Sequence, residues 1–263
     1  MFGGRLVDAD VADWQFEQFE WLIDNFSSGP GLPDGDLWQP IAEHFPKADG
    51  DLGEHLFALV CQQCCLDPAA FDLIAMDPVK GQGLGGVAMT HATEGAPLGA
   101  YTVEGETETG LREVIYYDAA QPPLQLVATF AHELAHSFFY RGFEPWPGDQ
   151  ELHELFTDLT AIYLGYGIFL SNSRFNFEGF TGTGVQGWQA RGAGYLPEAD
   201  MVFALALFMR VKGVPIDAAR DHLKPKLSKM LKKAMRQLDR HQDRVDDLRA
   251  RVPAHKTKAS QTL

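Results

Sequence analysis

Residues 132–136 read His-Glu-Leu-Ala-His. On an α-helix, positions i and i+4 share one face, so His132 and His136 can aim two imidazoles at one metal ion with Glu133 beside it. Zinc suits such a pair. A chain of this composition produces H-E-x-x-H by chance in about one case in a hundred, so the pentapeptide has to be read with its surroundings. Those surroundings fit, because residues 124–141 contain no glycine or proline and are largely apolar. A catalytic zinc takes three protein ligands and leaves a fourth position for water. Downstream, the string His-Glu-Leu-Phe-Thr-Asp-Leu sets Glu154 and Asp158 one turn apart on a single helix face. One of these acids would complete the metal site. The other would accept a hydrogen bond from the far nitrogen of a ligating histidine and fix its tautomer. Two acids on an otherwise apolar helix are costly unless paired or bound to metal, with Leu155, Leu159 and Ile162 expected towards the core. Asp158 is open as the third ligand, as is His153, although His153 points about 100° away from Glu154 on a helix.

H-E-x-x-H followed by a helix carrying E-x-x-[ST]-D resembles the gluzincin group of zinc metallopeptidases, the thermolysin-like enzymes in the broad sense. The resemblance spans residues 132–158 and no more. It implies a zincin-like fold, with zinc held by His132, His136 and Glu154, Glu133 as catalytic base and Asp158 supporting a histidine. It also implies a hydrolase acting on peptide or protein substrates. In such a site zinc acidifies its bound water and polarises the substrate carbonyl, and the base moves the water proton to the leaving amine. A further donor should stabilise the oxyanion. Tyr195, just before a helix, is the candidate, with His222 and Tyr163 behind it. Zincins tend to bind an extended peptide along a sheet edge, and residues 113–118 are expected to be that edge strand.

The elements that must position these residues are legible in outline. Residues 11–26 and 51–66 carry helical periodicity, the first broken by Ser-Ser-Gly-Pro-Gly and the second closed by Pro68. Between residues 71 and 119 come short β-prone runs, FDLIAM, GGVAMT, GAYTV and REVIYYDA, which predict three or four strands of one small sheet. From residue 124 onward the helical period dominates: the HELAH helix, a helix over 149–170, another over 197–213, and a charged helix over about 217–251. The order is α+β, a small mixed sheet in the N-terminal half and a mainly helical C-terminal half, with the HELAH helix between them. The expected organisation is an α/β lobe over residues 1–121, a helical lobe over 122–252 carrying the metal site, and a flexible tail over 253–263. Together these form one zincin-like unit. Gly165 and Gly167 interrupt the 149–170 helix and are expected to permit close packing.

Composition excludes several classes. A net charge of −14 over 263 residues opposes non-specific attraction to nucleic acid or anionic membrane. Acids at positions 8, 10 and 13 break the apolar run that a secretory signal needs, and no apolar segment reaches the roughly 20 residues of a membrane span. The sequence therefore predicts a cytoplasmic protein. Cys61, Cys64 and Cys65 read as buried thiols on a core helix. Gly81 to Gly86 satisfies G-x-G-x-x-G but is followed by a strand-like run, so it reads as a turn. An alternative function is a metal-bearing regulatory or interaction protein with little or no proteolytic activity; the intact Glu133 favours the enzyme.

Overall fold

Pro123 occupies the first turn of the helix that carries His132, where its missing N–H costs nothing and its fixed φ suits helix entry. That helix, α3 (Pro123–Phe138), is the spine of the structure. The computed structural model describes residues 4–27, 36–47, 49–76, 98–107, 110–173 and 196–252. Before α3 come α1 (Ala9–Phe26), α2 (Leu52–Gln63), and strands β1 (Phe71–Met76), β2 (Gly99–Thr107) and β3 (Gly110–Asp118). The start of α2 is set by Asp51, whose carboxylate accepts the amide of Glu54 at 2.9 Å. After α3 come α4 (His153–Ala161), α5 (Gly167–Ser173), α6 (Glu198–Lys212), α7 (Asp217–Arg220), α8 (Pro225–Leu238) and α9 (Gln242–Arg251). The protein is thus α+β, with a small sheet and a mostly helical remainder. No helix among the described residues is long and apolar enough to cross a membrane.

The sheet is mixed, in the order β1-β3-β2. β3 pairs in parallel with β1 and antiparallel with β2. This corrects the expectation for residues 113–118: that strand is central, with both edges paired, and among the described residues the edge beside α3 belongs to β2. Strand length and apolar content do not tell a centre from an edge, because the order depends on long-range pairing. The GGVAMT run and the Gly81–Gly86 stretch lie outside the described residues.

α3 packs its apolar face on the sheet and on α2. Phe130 meets Tyr117 of β3 and Phe57 of α2 edge-to-face, at centroid distances of 5.2 and 5.4 Å. α6 is buried almost all round from Met201 to Met209, as its unbroken apolar sequence demands. α8 lays Leu227, Leu231, Ala234 and Leu238 in one stripe against the core. A single cluster of buried side chains runs from Val7 to Leu248.

Two expected helices are broken. The 149–170 segment ends α4 at Ala161 and passes through a widened turn where Gly165 adopts φ 101° before α5 begins. A Cβ at Gly165 would lie 1.9 Å from the Asp36 carbonyl oxygen. The carbonyls exposed by the break are taken by Trp38, whose Nε1 donates to Leu164 and whose amide donates to Gly165, both at 3.1 Å. Gly165 therefore both breaks the helix and admits a neighbouring chain, while Gly167 presses on Leu205 of α6. The charged 217–251 segment forms three helices instead of one, and Pro225, which cannot sit in a helix interior, opens the second. Cys61 and Cys64 are buried, and burial pushes their thiols up, Cys64 to about 12. Cys65 departs from expectation: it is exposed, at φ 58° just past α2.

Candidate metal centre

The last two turns of α3 and the first two of α4 pack side by side and bring five of the predicted residues together, His132, Glu133, His136, Glu154 and Asp158. Glu154 Oε2 lies 3.3 Å from His132 Nε2 and 3.8 Å from His136 Nε2. Ligand atoms bonded at 2.0–2.1 Å in a tetrahedron stand about 3.3 Å apart, so Glu154 is within shared-ion distance of His132 and slightly farther from His136. The donor atoms that lie within 4.8 Å of one another form two overlapping groups, His132–Glu133–His136 and His136–His153–Glu154. The His132 and His136 rings are 86° apart in plane, which lets their in-plane nitrogens converge. Glu133 Oε2 sits 4.0 Å from His136 Nε2, close to the same point. Glu154 is half-exposed, which leaves one side of the cluster open to solvent.

Asp158 is 2% exposed and serves two donors. Its Oδ1 accepts from His132 Nδ1 at 2.9 Å, and its Oδ2 accepts the amide of Leu196 at 2.7 Å. With Nδ1 carrying a proton, Nε2 of His132 is left to face Glu154. Both oxygens of Asp158 are engaged, so the carboxylate orients a histidine and is not placed as a ligand. His153 is nearer than helical spacing suggested, with a nitrogen within 4.8 Å of donor atoms of His136 and Glu154. Its ring, however, lies nearly parallel to His136, 17° apart in plane at 5.3 Å. A ring nitrogen donates in its own plane, and two stacked planes do not meet at one ion.

The electrostatics follow from burial and pairing. Burial opposes charge on His132, yet hydrogen bonds to Asp158 and Glu154 hold its pKa well above the usual histidine value. His136 is pushed down to about 3, first by burial and then by His132, and so stays neutral. Burial pushes Glu133 up to about 7. Glu154 is held well below the usual carboxylate range; burial opposes this, and the neighbouring His132 and His153 imidazoles outweigh it.

The chain matches no family model, no curated protein and no solved structure. Its site is therefore read from its own residues.

Of the oxyanion candidates, Tyr195 lies outside the described residues. Tyr163 is buried and its hydroxyl is 2.8 Å from Ser27 Oγ, so that group is already engaged in the core. Apolar flanks hid this, since a tyrosine in YLGYG carries no mark of which side its hydroxyl faces. His222 sits in the turn between α7 and α8, where its carbonyl accepts from Asn172 Nδ2 at 2.8 Å.

Three contributors escaped the sequence reading. The backbone of Tyr101, on β2, faces Glu133 and favours its charged form, against the larger effect of burial. Gly99 lies so close that a Cβ would stand 2.6 Å from Glu133 Oε1. Glu113, 4% exposed on β3, accepts from Tyr101 Oη at 2.9 Å, from Arg141 Nη2 at 2.6 Å and from Ser137 Oγ. A buried carboxylate in a strand was the available signal, because such a group must find cations or donors.

Proposed function

We propose that the chain is a zinc-dependent metallopeptidase with a zincin-like arrangement, hydrolysing peptide bonds with Glu133 as general base. The observation that carries this reading is the position of Glu133. With Glu154 taken as the third donor, Glu133 is a further carboxylate beside the set, fitted against Gly99 and faced by the Tyr101 backbone. A protein that merely bound metal would have no use for that group.

The donor set suits zinc: two imidazoles and one carboxylate oxygen with an open side, where the ion would displace the second proton that His132 holds without it. His132, His136 and Glu154 would hold the ion, which when bound supplies a Lewis acid and an acidified water. Asp158 keeps His132 in the tautomer that frees Nε2. Glu133 takes a proton from water as the oxygen adds to the scissile carbonyl carbon, and gives it to the amine as the C–N bond breaks. β2 supplies the strand along which an extended peptide adds. Tyr101 turns its backbone towards Glu133 and away from β3, and in an antiparallel ladder Gly99 and Val103 share that phase.

The test is cleavage of a peptide library by the zinc-loaded protein beside Glu133→Gln. The reading expects cleavage by the wild type and loss of roughly 100-fold or more in the variant. Equal cleavage by both would remove Glu133 from the chemistry.

A further inference from the structure

His132 and His136 are oriented in different ways. His132 has a carboxylate at 2.9 Å on its far nitrogen. The corresponding nitrogen of His136 has, among the described residues, the Thr157 hydroxyl at 3.4 Å, a long contact to an uncharged acceptor that is itself held by the His153 carbonyl at 2.9 Å. Hydrogen bonding alone therefore leaves the second imidazole loosely aimed. Ring packing supplies what is missing. Tyr101 lies 5.6 Å from His136 with planes 16° apart, and His153 lies 5.3 Å from it at 17°.

We propose that Tyr101 is the positioning residue of the metal centre, its ring holding the plane of His136 while its strand, at Gly99, packs on Glu133. This rests on the metal reading above. Tyr101 is itself fixed at the far end, where its hydroxyl donates to Glu113 at 2.9 Å. Glu113 in turn is held by Ser137, the residue after His136, and by Arg141, one turn further on. The contacts close a loop from β2 through β3 to the C-terminal end of α3 and back to His136. Within that loop a shift of β2 moves both the ligand and the base. His153 is less able to do this work, because it belongs to α4 and its own ring leans on Phe139 at 4.1 Å.

The proposal separates the ring from the hydroxyl. Tyr101→Phe keeps the stack and the strand; Tyr101→Leu keeps only the strand. We measure the zinc dissociation constant by chelator competition, the visible spectrum of the cobalt-loaded protein, and the melting temperature of the metal-free protein. Tyr101→Leu should bind zinc roughly ten- to hundredfold more weakly and show altered cobalt bands, while Tyr101→Phe, which keeps the ring stack and loses only the tie to Glu113, should lose several-fold less. A role confined to folding would move the metal-free melting temperature and leave the cobalt bands of the folded fraction unchanged, which overturns the proposal. So does an equal loss in both variants, since that would assign the effect to the hydroxyl. Should Tyr101→Leu not fold, Tyr101→Met takes its place, with the same outcomes. A wild type that binds neither metal rejects the metal reading itself; a wild type that binds, with a leucine variant that binds as well, rejects only the role of Tyr101.

Discussion

His132 Nδ1 and Asp158 Oδ1 are 2.9 Å apart, and the second oxygen of that carboxylate accepts the Leu196 amide, so one buried acid ties α3 and α4 to the chain entering α6. Asp158→Asn tests this tie. An amide that offers its oxygen to His132 must turn its NH2 towards the Leu196 N–H, donor against donor. Zinc affinity should fall roughly 10–100-fold. Stability should fall by about 1–3 kcal/mol from the unpaired amide. Chelator competition and urea unfolding measure the two effects, and an unchanged zinc constant would contradict the orienting role.

Gly99→Ala separates the base from the ligands. The added methyl would meet Glu133 Oε1 at 2.6 Å and Thr129 Cγ2 at 2.5 Å, with no ligand atom among the near contacts. Zinc binding should persist while turnover drops roughly 100-fold, the cost of about 1 Å of misplacement. Loss of zinc in this variant would show that β2 supports the ligands directly and not through Glu133.

The Glu113 carboxylate gives a pH-dependent prediction. Burial works against its charge, but Arg141, Ser137 and Tyr101 hold its pKa below the usual glutamate value. A group lowered in the fold contributes stability above its unfolded pKa of about 4.3 and loses it as pH falls through the folded value. Arg141→Met should cost about 2 kcal/mol at neutral pH, discounted from the buried-pair range because Arg141 is one-third exposed. The deficit should shrink below about pH 4, where Glu113 takes a proton in the variant. Melting temperatures across pH measure it, and a deficit that widens on acidification would reverse the sign.

Gly165→Ala addresses the break between α4 and α5. At φ 101°, with the Asp36 carbonyl where the methyl would go, the variant should lose about 3 kcal/mol in urea unfolding. A loss under about 1 kcal/mol would mean that the 36–45 segment moves away without cost.

How much of this was legible follows from how local each signal is. His132 and His136 could be paired from the sequence because one helical turn fixes them, and Glu154 and Asp158 for the same reason. The meeting of those two pairs needed only the short 139–152 connection. Tyr101, Gly99 and Glu113 reach the site through strand order, and nothing near residue 101 announces that its partner across space is Glu133. The same limit put the sheet edge on 113–118, the strand directly before the HELAH helix, because adjacency in sequence does not reveal that β3 is paired on both sides. The break at Pro225 was readable and was passed over in favour of continuous charge. The break at Gly165 needed Trp38, more than a hundred positions away, to become stable.

The most direct test of the peptidase account is a profile of new N-termini in a cell lysate incubated with zinc-loaded wild type or with Glu133→Gln, both shown beforehand to hold one zinc. The account predicts a reproducible set of termini with the wild type that is absent with the variant and abolished by chelator. The same termini from both proteins, or none from the wild type, would contradict it.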